Sequence, residues 1–345
     1  MAKSRRKFGW STLSKDELLN IRISDLGLRL KGTFVQKQIK HLYSELRNRK
    51  IRFFPHCWLS DEWFSPDYHP GIAIPFYLAH PRLIKMEEKF LCEAEGSSNE
   101  ECIQILRHEA GHSIDWAFSL FKKKSYQKVF GNPQKRYPKV YYPNPKSRRY
   151  VLHLGFWYAQ AHPVEDFAET FAVWLKKGSR WKRDYQGWPA LKKLQYVDEI
   201  MQGIAEKKPI ILKKDVKYEE SPLGQNHLTL GEYFRKRREL YQIDYQWYFD
   251  KDLQKFFSNS PKHGRKRTAA GFLKKIHNRI RKDVAIRINE HPYVVDQILK
   301  EMIVRCKHLK LYVTRPEKQV NREAALFIAI QTFKYLNDGN PRMVI

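Results

Sequence analysis

A chain of 345 residues that is 42% hydrophobic and 14% aromatic can fill the core of one large globular domain or two ordinary ones, which excludes a disordered or low-complexity polymer. It holds no run of about 18 apolar residues, so no membrane span is expected. Its formal net charge of +28 attracts polyanions or acidic protein surfaces at low salt without saying which.

In chain order, residues 1–15 read as a basic, disordered N-terminus. Met1 to Lys7 is followed by Phe8-Gly9-Trp10 rather than an apolar core, which argues against a secretory leader and for a cytoplasmic protein. Cys57, Cys92, Cys102 and Cys306 lack any Cys-x-x-Cys spacing and read as reduced thiols. Thr33 to Arg49 predicts an amphipathic helix with Phe34, Ile39, Leu42, Tyr43 and Leu46 on its apolar side. Ile51 to Leu59 and Gly71 to Ala79 are strand candidates, each interrupted by a proline.

The next stretch carries chemistry. Ser98 followed by Glu101 reads as a capping box, and Cys102, Ile103, Leu106, Ala110, Ile114 and Ala117 recur at helical spacing. Within that helix lies His108-Glu109-Ala110-Gly111-His112. Positions i and i+4 stand about 40° apart on a helix, so both imidazoles can reach one metal ion. Glu109 stands about 100° round from His108, within reach of a water on that ion without being a ligand. The apolar positions fall opposite the histidines, which predicts a helix with one face in a core and the other on a cleft. The alternative is two surface histidines on an ordinary amphipathic helix.

Lys122 to Arg149 holds ten Lys or Arg and no Asp or Glu, interleaved with Tyr and Pro, and predicts a long surface loop. Tyr150 to Tyr158 reads as extended or helical. His162 to Leu175 (HPVEDFAETFAVWL) opens a second strong helix, with Pro163 at its first position and Glu165 and Asp166 at the positive end of its dipole. A catalytic zinc takes three protein ligands, so two histidines leave one missing; Glu165 is the candidate. Glu169, one turn on, can hold the other ring nitrogen of a liganding histidine. Plain surface charge is the competing reading of this acidic pair. His162 reads as a helix cap or substrate contact, and His41, His56, His69 and His153 as ordinary histidines. Leu191 to Ala205 predicts one more helix. Beyond about Asp215 come helices with basic faces, at Thr229 to Tyr241, Ala269 to Ile288, Tyr293 to Leu309 and Arg322 to Leu336.

HEAGH followed by HPVEDFAETFAVWL resembles the gluzincin branch of the zincin metallopeptidases, and specifically the bacterial family grouped as putative zinc-binding metallopeptidases. The resemblance extends to WLSDEWFSP (58–66), GIAIPFYLAHPRL (71–83) and GWPAL (187–191), and less specifically into the C-terminal helices. Helix, strand, strand and metal-binding helix is also the zincin order. In gluzincins of the lethal-factor type the second helix carries a Glu ligand and a supporting Glu one turn later, matched by Glu165 and Glu169. A Tyr seven residues before the ligand Glu assists the transition state there, and Tyr158 occupies that spacing; a buried core tyrosine is its competing reading. The departure is the long interval between His112 and Glu165, so the basic stretch must fold away from the cleft or cover it.

These readings predict an α+β fold: a zincin-like metallopeptidase domain over residues 16–214 with a small mixed sheet, then an all-α region over 215–345. The function expected is zinc-dependent hydrolysis of peptide bonds, with one zinc per chain on His108, His112 and Glu165, Glu109 as general base to a zinc-activated water, Tyr158 as hydroxyl donor and Glu169 behind His108 or His112. The partner is then a peptide or protein, an acidic one fitting the charge. A second reading is an idle zincin fold serving as a basic binding module for nucleic acid or an acidic protein, and a third is hydrolysis of a non-peptide amide at the same site.

Overall fold

Thr33 accepts a hydrogen bond from the backbone N–H of Gln36 at 3.2 Å and so starts the first long helix of the chain. The computed structural model describes residues 8–138, 141, 143–144, 146–210, 219–239, 248–260 and 266–337. After α1 (Lys15–Leu19), opened by a capping box between Ser14 and Glu17, this helix is α2 (Phe34–Asn48), which buries Val35, Ile39, Leu42 and Leu46. Strand β1 (His56–Ser60) then pairs in parallel with β2 (Gly71–Pro75), in register from His56↔Gly71 to Ser60↔Pro75. Both strands are shorter than the apolar runs that predict them. β1 begins after Pro55 and β2 ends at Pro75, because proline has no N–H to give a ladder; 76–79 continues as a 3₁₀ turn.

Five helices complete the frame around the histidine motif: α3 (Pro81–Leu91), α4 (Asn99–Phe118), α5 (Lys124–Phe130), α6 (Pro163–Leu175) and α7 (Trp181–Asp184). They are followed by α8 (Ala190–Ile204) and α9 (Leu230–Glu239). Ser98 accepts from Glu101 N at 3.1 Å to open α4, and Ser119 closes it in the left-handed region at φ 49°. α4 is clamped on several sides. β2 holds it through Ser113, whose hydroxyl donates to Gly71 O at 2.8 Å. α2 holds it through a buried two-pronged pair in which Arg107 donates to Glu45 at 2.8 and 2.9 Å. α6 packs along it.

By contacts the chain divides into two compact units. One comprises the described residues up to Glu87 with Ala94–Tyr233, and it is α+β: helices around the small parallel pair of strands, the zincin-like arrangement expected. The other comprises Glu88–Glu93 and the described residues from Phe234 onward. It is helical, with α10 (Asp250–Phe256), α11 (Ala269–Ile288), α12 (Pro292–His308) and α13 (Glu317–Asn337) around a core that includes Phe249, Phe272, Ile276, Leu299, Met302 and Ile328. No helix among the described residues is long and apolar enough to cross a membrane, and the four cysteines form no disulfide.

The described residues bear on four of these expectations. Residues 1–7 lie outside the described residues, but from Phe8 the supposedly disordered N-terminus is packed: Trp10 is 6% exposed and its indole N–H donates to Leu26 O at 2.9 Å. The boundary expected at 214/215 also lies outside the described residues, and contacts group the segment up to Tyr233 with the first unit. Ile23 N donates to Leu228 O and Leu230 N to Ile21 O, both at 2.9 Å, across the Arg22↔Thr229 bridge. The basic stretch is not all loop, since it begins with α5, whose Tyr126 and Phe130 are buried. Finally, α4 and α6 are not two-faced. Both histidine-side and apolar-side residues of α4 are enclosed, and every residue of α6 from Glu165 to Leu175 is buried.

Candidate metal centre

The site is assembled from two helices that approach unusually closely. A Cβ added to Gly111 of α4 would lie 2.9 Å from the Cα of Ala168 on α6, so a residue with no side chain is required at that point. His162 opens α6 by accepting a hydrogen bond from Val164 N through Nδ1 at 3.4 Å, and Pro163 suits the first helical position because no N–H is needed there. Glu165 and Glu169, one turn apart, then face the histidines of α4.

Glu169 accepts from His108 Nδ1 at 2.9 Å through one oxygen and from Leu154 N at 3.0 Å through the other. This holds a proton on His108 Nδ1 and turns Nε2 toward Glu165 and His112. His108 Nε2 lies 3.0 Å from His112 Nε2. Glu165 Oε2 lies 3.0 Å from the former and 3.2 Å from the latter. The three atoms form a nearly equilateral triangle. Ligands at the zinc distances of about 2.0–2.1 Å in a tetrahedron stand about 3.3 Å apart, so the triangle has the dimensions of one tetrahedral face. Two imidazole nitrogens and a carboxylate at such separations attract one another only through a shared proton or cation. Among the described residues, His108, His112 and Glu165 are the group of His, Cys, Asp or Glu whose ligand atoms lie within 4.8 Å of one another.

The electrostatics agree with a cation site. Burial disfavours protonation of His108, yet hydrogen bonds and charge from Glu165 and Glu169 outweigh it and hold its pKa well above the ordinary histidine value. Burial likewise opposes, and the Glu165 carboxylate overcomes, an upward shift at His112. Burial pushes Glu165 up, but the two histidines hold it well below the carboxylate range, so it is anionic. The cluster thus sets positive charge against carboxylate among largely buried side chains, an arrangement in which a divalent ion can take the place of the protons.

Glu109 is 8% exposed against 2% for His108, and burial raises its pKa against the lowering effect of the two histidines. Tyr158 sits in the 3₁₀ turn 155–160, directly after Trp157 with φ 52°, and its ring centroid is 5.6 Å from that of His108. Burial, then the charges of Glu165 and Glu109, push its hydroxyl far above the ordinary tyrosine range, which keeps the O–H as a donor. His162 caps α6, one of its two readings. Burial lowers the pKa of His153, whose Nε2 donates to Gln104 O at 3.0 Å, so it is a neutral structural histidine.

Sequence reasoning missed one residue at this site. Tyr137, in the basic stretch, donates its hydroxyl to Glu165 Oε1 at 2.7 Å and stacks on His162 with ring centroids 3.9 Å apart and planes at 15°. The stretch was conspicuous for its tyrosines, but no spacing marked this one, because its partner lies 28 positions away.

Residues 101–180 match the family model described as putative zinc-binding metallo-peptidase. No curated protein and no solved structure matches the chain. The matched segment contains His108, Glu109, His112, Tyr137, Tyr158, Glu165 and Glu169, and a ligand triangle of zinc-site dimensions lies within it. It is this segment, 101–180, that is similar to the family of putative zinc-binding metallo-peptidases, as the HEAGH and HPVEDFAETFAVWL motifs lead one to expect.

Proposed function

We propose that the protein is a zinc-dependent peptidase of the gluzincin type, with one ion per chain on His108, His112 and Glu165 and a peptide or protein as substrate. The observation that carries this reading is the 3.0–3.2 Å triangle of His108 Nε2, His112 Nε2 and Glu165 Oε2. Zinc in such a set supplies Lewis acidity, lowering the pKa of water to about 7 and polarising a carbonyl. Glu109 takes the proton of the attacking water and passes it to the leaving amine, a task for a carboxylate beside the ligands but outside their set. Tyr158 turns its O–H toward the charge that develops on the carbonyl oxygen. Glu169 keeps the proton of His108 on Nδ1, and so keeps Nε2 available. The surrounding burial makes each of these groups act in a medium less screening than water.

The decisive experiment pairs zinc content with turnover on a mixed peptide library. Wild type is expected to carry about one zinc and to cleave; Glu109→Gln should carry the same zinc and lose cleavage by about 10²-fold or more. Full cleavage by Glu109→Gln would end this mechanism.

A further inference from the structure

The Glu165 carboxylate uses its two oxygens differently. Oε2 faces both imidazoles, whereas Oε1 accepts the Tyr137 hydroxyl at 2.7 Å. A carboxylate rotates broadly about its last torsion, so an O–H bond to one oxygen decides which oxygen is presented to an ion. Tyr137 itself is held by the residue that starts the ligand helix. The His162 ring stacks on Tyr137, and its Nε2 donates to Lys135 O at 2.6 Å while Nδ1 caps α6. One imidazole therefore fastens the basic segment to the end of α6 that carries Glu165.

We infer that Tyr137 is a positioning residue for the third metal ligand, and that the segment around Lys135 to Tyr137 folds back onto the site to hold Glu165 as a one-oxygen ligand. This rests on the zinc reading above. Its consequence is affinity: the long interval between His112 and Glu165 delivers a hydrogen bond that lowers the cost of orienting the carboxylate before the ion binds. Tyr137 as a residue is 48% exposed, and Tyr137→Phe keeps its ring on His162 while removing only the hydroxyl that reaches Glu165.

The test is zinc affinity by competition with a chromophoric chelator, with thermal melting of the metal-free chain alongside. For Tyr137→Phe, which keeps the stacked ring, the zinc dissociation constant should rise about 10–100-fold while the metal-free melting temperature falls by no more than roughly 10 °C, the cost of one lost bond to a buried carboxylate. His162→Asn keeps a capping side chain but loses the stack and the Lys135 bond. It should weaken zinc as well, and adding Tyr137→Phe to it should cost little more. Wild-type zinc affinity in Tyr137→Phe overturns the inference, and strictly additive losses overturn the part assigned to His162. A wild-type chain that binds zinc no better than His108→Ala sinks the zinc reading itself, and this inference with it.

Discussion

Gly111 and Ala168 mark a close approach between the helices of the candidate centre, with only 2.9 Å available between a Cβ at Gly111 and the Ala168 Cα. The obstacle is backbone on α6 and cannot swing aside as a side chain can. Separating the helices enough to admit a methyl group would carry Glu165 and Glu169 away from His108 and His112. Gly111→Ala is therefore expected to destabilise the chain by about 1–3 kcal/mol despite a gain of up to about 1 kcal/mol in helix propensity, and to weaken zinc binding. Urea unfolding and chelator competition would check this. A variant with wild-type values in both would show that the close approach is not needed.

Glu169 accepts the Nδ1 proton of His108 and the Leu154 amide, and is fully buried. Glu169→Gln keeps the size and one acceptor but removes the charge that supports a donating imidazole. Zinc affinity should fall about 10–100-fold. Unchanged affinity, measured in the same competition, would place Glu169 among the merely structural acids.

Tyr158→Phe should retain zinc and KM while kcat falls about 10²-fold, the loss associated with one donor to a developing oxyanion. A fall in zinc content instead would mean that the tyrosine supports the ligand shell rather than the reaction.

Asp115 ends the turn of α4 beyond His112, accepting from Phe121 N at 2.7 Å and from the Tyr126 hydroxyl at 2.9 Å. Burial pushes its pKa up to about 7, against the lowering effect of those two donors, from an ordinary value of 3.8. Between those values the folded chain keeps a proton that the unfolded chain has lost, so stability falls as pH rises from about 4 to 7. The loss from this group is of the order of 4 kcal/mol. Asp115→Asn stays neutral throughout, so the variant should gain on wild type steadily across that interval, most of all above pH 7. Urea midpoints of both metal-free chains at several pH values measure the difference. Parallel curves would mean that Asp115 is ionised in the fold.

What was legible in the chain is what depends on neighbours in sequence. The i, i+4 spacing of His108 and His112, the Ser98 and Thr33 caps, Pro163 at the start of α6 and the breaks at Pro55 and Pro75 all act within one or two turns, so propensity and stereochemistry decide them. The pairing of HEAGH with Glu165 and Glu169 came from resemblance and spacing, and the fold brings their atoms together over 53 positions. The two-faced reading of α4 fails because a helix wrapped by α2, β2 and α6 buries polar residues as well as apolar ones: Arg107, His108, Ser113 and Asp115 each have a partner that periodicity does not reveal. Tyr137 escaped notice for a related reason.

By itself, then, the amino-acid sequence determined which residue types sit one helical turn apart and where the helices that carry them begin. Only the tertiary structure decided that Gly111 admits α6, that Glu165 offers one oxygen to the histidines and the other to Tyr137, and that His162 joins the basic segment to that helix. Contacts across 28 or 53 positions must repay the entropy of closing the chain between them, and it is packing, not local preference, that does so.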